Sequence, residues 1–216
     1  MEEAPLYNSR LINNYIEYLK KFYPHIDIGV LMRRAEMTTH QLEDGGHWFT
    51  QRQIDRFHDT LEELTGNANI AREAGRYTAF SKASGTLQQY VRGFITPGAA
   101  YKVLGKLYPQ VSRASILQSR FIADNKIEID AIPKPGVHEK PYQCENRMGT
   151  FEAMAKLLIP KFPTVDHPLC LHHGGEYCKY IITWEENPSD RWKRLKHYLF
   201  LFGFIITIKH CLNFGS

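Results

Sequence analysis

Ser115-Ile-Leu-Gln-Ser-Arg-Phe-Ile122, followed by Ala123-Asp-Asn125 and Lys126-Ile-Glu-Ile-Asp-Ala-Ile132, is where the chain changes period. The flanking runs are short and β-like, and Ala123-Asp-Asn125 is turn material, so the stretch predicts an antiparallel hairpin. What precedes it has a helical period. The expected fold class is therefore α+β, a helical N-terminal half followed by antiparallel hairpins packed with helices.

Working back towards the N-terminus, Leu11, Ile12, Tyr15, Ile16, Leu19 and Phe22 recur on one helical face, predicting a helix from Leu6 to Tyr23 that Pro24 closes. A short helix is expected over Ile28 to Ala35. Thr50-Gln-Arg-Gln53 has the form of a capping box opening a helix through Ile54, Phe57, Leu61 and Leu64 to Gly66. Further helices are expected over Asn69 to Tyr77, Leu87 to Phe94, and from Pro97 through Tyr101, Leu104 and Leu107, since proline is tolerated in a first turn.

On the other side, Pro133 to Pro141 reads as a loop, and Met148, Phe151, Met154, Ala155 and Leu158 line one face of a helix over Asn146 to Leu158. Leu169 to His172 and Tyr177 to Trp184 read as a second hairpin turning at Gly174-Gly175, with Tyr180, Ile182 and Trp184 on one face.

This second hairpin carries the chemistry. Cys144 precedes it, and His167-Pro-Leu-Cys170-Leu-His-His-Gly-Gly-Glu-Tyr-Cys178 spans its turn. Thiolate and imidazole are ligand types for tetrahedral zinc, and the glycines let both sulfurs of a hairpin face one ion. The competing reading is that Cys144, Cys170 and Cys178 are inert core thiols, because cysteine is often buried. Cys211 reads as a packed or incidental thiol.

The chain has 216 residues and a formal charge of +4, with basic and acidic residues interspersed, which gives no nucleic-acid footprint. Its acidic start, Met1-Glu-Glu-Ala-Pro5, lacks the pattern of a secretion signal, so a reducing cytoplasm is the expected compartment.

From Arg113 to Trp184 the sequence resembles the vinyl-four-reductase type of ligand-sensing domain, which also forms the input domain of phenol- and xylene-responsive activators of aromatic catabolism. The resemblance rests on Cys144 before a helix, Cys170 and Cys178 across a glycine-containing turn, and the strand Tyr180-Ile-Ile-Thr-Trp184. It implies a closed apolar pocket for a small molecule and a structural zinc held by Cys144, Cys170, Cys178 and a fourth group. His167 stands where that family has an acidic ligand, with Glu176, His172 and His173 as substitutes. The histidine and tryptophan that grip phenol in that family have no counterpart here, so phenol is not carried over.

Phe80, Tyr90, Phe94, Tyr101, Phe121 and Phe151 are the aromatic residues expected to line the pocket, against the plainer reading of core packing. The organisation expected is a helical segment over 1–110, a sensor domain over 111–187, and a C-terminal helix over 188–216. That last segment pairs the basic Asp190-Arg-Trp-Lys-Arg-Leu-Lys-His197 with the apolar run Tyr198 to Ile208. The run is shorter than the roughly 20 residues that span a bilayer, leaving a clipped membrane helix, an interfacial anchor or a dimer helix as alternatives.

Catalysis is not expected, for there is no nucleophile elbow, phosphate loop or dinucleotide fingerprint. Haem sensing is set aside, because neither a Cys-x-x-Cys-His attachment motif nor the Tyr-x-Ser-x-Arg signature of haem–nitric-oxide domains occurs. The functional expectation is a zinc-stapled sensory domain of a bacterial signalling protein, dimeric and binding a small apolar ligand. The alternative is a lipid- or acyl-binding assembly module of the related trafficking type.

Overall fold

The computed structural model describes residues 4–93 and 96–185. In chain order its elements are β1 (Pro5–Asn8), α1 (Ser9–Phe22), α2 (Ile28–Arg34), α3 (Thr39–Glu43), β2 (Trp48–Thr50), α4 (Gln51–Thr65), α5 (Ile70–Tyr77), α6 (Gly85–Arg92), α7 (Pro97–Lys102), α8 (Leu104–Leu107), β3 (Ser115–Ala123), β4 (Lys126–Pro133), α9 (Pro141–Lys156), β5 (Thr164–Leu169) and β6 (Cys178–Thr183). Helices before the first hairpin and an antiparallel sheet after it make the fold α+β.

The expected hairpin is β3 and β4, paired antiparallel with Ser119 opposite Ile129. It belongs to a four-stranded sheet of order β3-β4-β6-β5. In β6 the side chains alternate as the sequence predicts, with Cys178, Tyr180 and Ile182 buried and Lys179, Ile181 and Thr183 half-buried.

Thr50 caps α4 as a capping box, its hydroxyl accepting from Gln53 N while the Gln53 side chain accepts from Thr50 N. Gly66 closes the helix in the left-handed conformation at φ 61°.

Several elements differ from expectation, and the following have a local reason. The first helix starts at Ser9, because Asn8 is extended and accepts from Arg10 N, while residues 5–8 pair with β2 instead. The short α3, capped by Thr38, carries too little apolar periodicity to be read from sequence. The run from Pro97 breaks at Val103, where φ −94° and ψ −1° end α7 and α8 begins. Helix α9 starts at Pro141, since a proline at its first position gives up no hydrogen bond. In the second hairpin, β5 is already paired at Thr164, and Leu171–His173 is a 3-10 turn and not strand.

Through Trp184 the chain forms one unit with two apolar cores. One gathers Ile12, Leu19, Leu31, Phe49, Phe57 and Leu61 from the N-terminal helices. The other gathers Tyr101, Ile127, Ile129, Phe151, Tyr180, Ile182 and Trp184 between sheet and helices.

Helices α5 and α9 join the two cores. A Cβ at Gly149 would lie 2.1 Å from Arg72 O, and one at Gly75 would lie 2.4 Å from Asn146 O, so the backbones meet where neither has a side chain. Beside this crossing the buried Glu152 carboxylate accepts from Arg72 and Arg76. Burial raises its pKa, but the hydrogen bonds from the two arginines outweigh that and hold it below the usual carboxylate range.

Candidate functional site

Two clusters of functional groups occupy this frame, a thiol–imidazole cluster between α9 and the β5–β6 hairpin, and a cavity among the helices.

The first is built from the sequence motif. Cys144 sits in the first turns of α9, His167 on β5, Cys170 just after β5 and Cys178 at the start of β6. Their ligating atoms lie within 4.8 Å of one another. The turn folds around Cys170, whose carbonyl accepts from His173 N at 3.0 Å and Gly175 N at 2.9 Å, while Gly174 takes φ 85°.

The three cysteines are buried and free, with Cys144 Sγ 3.5 Å from Cys178 Sγ. The hydrogen bond from Cys144, with help from His167 and the Leu171 backbone, pulls the Cys178 thiol well down, whereas the same bond and burial push the Cys144 thiol up. The pair thus favours the thiol at Cys144 and the thiolate at Cys178. Glu176, His172 and His173 are not in the four-residue group.

A cavity of about 240 Å³ lies among α1, α4, α6, α8 and α9. Ile12 and Tyr15 of α1, Ile54 and Phe57 of α4, Leu104 and Leu107 of α8, and Phe151 and Met154 of α9 give it a mostly apolar lining. Of the aromatic residues expected there, Tyr90 and Phe151 line it. Tyr101 instead fills the sheet-side core, donating to Phe151 O at 2.6 Å. Phe80 and Phe121 face outward, 59% and 46% exposed, because one follows the end of α5 and the other sits on the edge strand β3. Phe94 lies outside the described residues, as do the basic segment, the apolar run Tyr198 to Ile208 and Cys211.

The sequence reading missed the polar groups of this cavity. Asn14 Oδ1, His58 Nε2, Glu139 Oε2 and Arg147 Nε are buried without a hydrogen-bond partner, and all four residues line it. His58 was detectable: four residues after Ile54 and three before Leu61, it shares the buried stripe of α4. Its ring stacks on Tyr142 at 3.9 Å, and burial lowers its pKa to about 4, so the imidazole is neutral. Its Nδ1 lies 3.9 Å from a Glu62 carboxylate oxygen, beyond hydrogen-bond reach, and its Nε2 has no partner.

No protein-family model and no curated protein matches this sequence. Solved structures do match. An H-NOX protein from S. oneidensis in the Fe(II) ligation state superimposes with a TM-score of 0.66 at 9% identity, covering 83% of this chain and 97% of that one. An oxygen-binding H-NOX domain related to soluble guanylate cyclases gives 0.62 at 15% identity, covering 83% and 100%. A structure from a study of heme distortion in the H-NOX family gives 0.63 at 15%, covering 83% and 95%.

The fold is that of the H-NOX domains. The resemblance to vinyl-four-reductase domains is therefore corrected: the local pattern of three cysteines and an aromatic strand is present, but the described residues take the fold of the H-NOX structures. Zinc as the cofactor came with that resemblance and is withdrawn with it, since the matching proteins are described by their heme. Setting haem–nitric-oxide domains aside for want of a signature excluded the fold along with the motif. At such low identity the fold is retained where the motif is not.

Among the described residues, no helix is long and apolar enough to cross a membrane.

Proposed function

We propose that this chain is a sensory domain on the H-NOX fold whose cavity receives a small ligand. The observation that carries the reading is the cavity itself, about 240 Å³, bounded by helices and apolar over most of its lining. Binding and not catalysis is part of this proposal: among the described residues His58 is the one imidazole in the lining, and its Nε2 has no hydrogen-bond partner.

The fold relationship raises haem as the cavity's occupant, and the residues present do not fit it. Haem iron takes an axial His, Cys, Met or Tyr. No cysteine lines the cavity, burial keeps Tyr7, Tyr15 and Tyr142 protonated, and Met154, a thioether in the lining, serves haem iron with a histidine opposite it, a place only His58 of this lining could take. His58 is held face to face by Tyr142, and no histidine occurs between it and His138, so α5 to α8 offer none. The volume is below the roughly 300–1,000 Å³ of drug- and cofactor-sized sites.

Cys144, His167, Cys170 and Cys178 complete the reading as a structural clasp, a donor set able to hold a tetrahedral metal ion between α9 and the β5–β6 hairpin. Four protein ligands leave no open position for chemistry there.

A thermal-shift screen of small apolar fragments tests the receptor reading, on wild type and on Ile54→Trp and Leu104→Phe, which fill the cavity. Fragments that raise Tm in wild type and lose the effect in both folded variants support it. Shifts that survive filling, or no shifts at all, contradict it.

A further inference from the structure

We infer that the aromatic patch at the ends of α1 and α5, formed by Phe22, Tyr77 and Phe80 with Lys20, Lys21 and Lys82 around it, docks the domain on an anionic bilayer surface. This surface is separate from the cavity and does not depend on what the cavity receives.

The rings form one continuous group. Phe22 is 51% and Phe80 59% exposed, and both pack on Tyr77, with centroids 6.0 Å and 6.3 Å from it. The buried Tyr18 supports the group, 4.8 Å from Phe22 and 5.6 Å from Tyr77. Single exposed apolar side chains are ordinary on a protein, whereas a contiguous set marks an interaction surface. The segment carrying Phe80 is also fixed in place, because the Glu17 carboxylate of α1 accepts from Lys82 N at 2.7 Å and Ala83 N at 2.9 Å.

Charge names the partner. Lys20, Lys21 and Lys82 are exposed and make no ion pair among the described residues. Lys21 Nζ lies 5.2 Å over the Phe22 ring and 5.5 Å over Tyr77, so cation and rings share one surface. The neighbouring acids are half-buried and engaged, Glu17 as above and Glu73 accepting from Tyr18 Oη at 2.6 Å and Asn67 Nδ2 at 2.9 Å. An acidic protein would offer the same charge, but protein interfaces are depleted in lysine and enriched in arginine, and Arg76 beside the patch is already bound to Glu152. Ammonium groups on flexible stems beside exposed phenylalanines suit a bilayer, where the rings enter between headgroups and each lysine near an anionic surface adds about fivefold in binding.

The test floats the full chain with vesicles of phosphatidylcholine and phosphatidylglycerol, and with vesicles of phosphatidylcholine alone. Wild type should bind the mixed vesicles, lose binding as salt is raised, and leave the uncharged vesicles unbound. Phe22→Ser/Phe80→Ser and Lys20→Gln/Lys21→Gln/Lys82→Gln should each weaken binding by about tenfold or more. Ile122→Ser, which removes an exposed apolar residue on the β3 edge, should bind as wild type does. Hydrogen exchange of wild type needs no variant, and the mixed vesicles should slow it at the end of α1 and over residues 77–82. Equal binding to both vesicle types, binding that survives both patch variants, or protection confined to other residues overturns the proposal. So does no binding at all, and a concentration-dependent dimer lost in Phe22→Ser/Phe80→Ser without vesicle binding would give the patch to a second copy of the chain instead.

Discussion

Arg147 Nη1 donates to the Tyr180 hydroxyl at 3.0 Å, and the Tyr180 ring in turn stacks on His167 with centroids 4.3 Å apart. Arg147 lines the cavity and His167 belongs to the thiol–imidazole cluster, so one tyrosine on β6 touches groups of both sites. The guanidinium is buried and also donates to Glu139 at 2.6 Å and Ser115 at 3.3 Å.

Arg147→Met should therefore lower stability by about 3–5 kcal/mol, because it leaves the Glu139 carboxylate buried without its counter-charge. Arg147→Met combined with Glu139→Gln should recover much of the loss. Urea unfolding of the three proteins checks this, and an additive double variant would mean that the pair does not act as a unit.

The α5–α9 crossing makes a contrast within one substitution type. Gly149→Ala places a methyl against the Arg72 carbonyl and should cost about 1–3 kcal/mol or more, since backbone and not a flexible side chain must yield. Gly85→Ala meets nothing within 4 Å and has φ −55°, so it should be neutral or stabilise by under about 1 kcal/mol. Thermal unfolding of both variants gives the two signs directly.

His58 sets a pH dependence. Its folded pKa is lowered from 6.5 to about 4, chiefly by burial, so the unfolded chain takes the proton first as pH falls. Stability should be full above about pH 6.5 and decline towards pH 4 by up to about 3 kcal/mol. The Glu152 carboxylate, lowered by its arginines, adds a loss in the same direction beginning below about pH 4.5. In His58→Phe the slope between pH 6.5 and 4.5 should flatten. An unchanged slope would show that His58 is not the titrating group.

What was legible in the sequence was local. The capping box at Thr50, the β3–β4 hairpin and the alternation along Tyr180, Ile182 and Trp184 are set by neighbours in the chain, and each is found where the pattern puts it. The convergence of Cys144, His167, Cys170 and Cys178 was legible for the same reason, since three of the four share one hairpin. The cavity was not, because an aromatic stripe looks alike whether it meets core, solvent or empty space. Tyr101, Phe121 and Tyr90 met one each. The resemblance was misplaced because a local pattern of Cys144, Cys170, Cys178 and the strand ending at Trp184 outweighed the topology that carries it.

The most direct test of the central claim, a receptor cavity that does not take haem, is the absorption spectrum of the chain produced with haem supplied in excess and titrated with it after purification. The account predicts no Soret band retained after desalting, in wild type and in His58→Ala alike. A retained band with one haem per chain, lost or shifted in His58→Ala, would contradict it and make His58 an iron ligand.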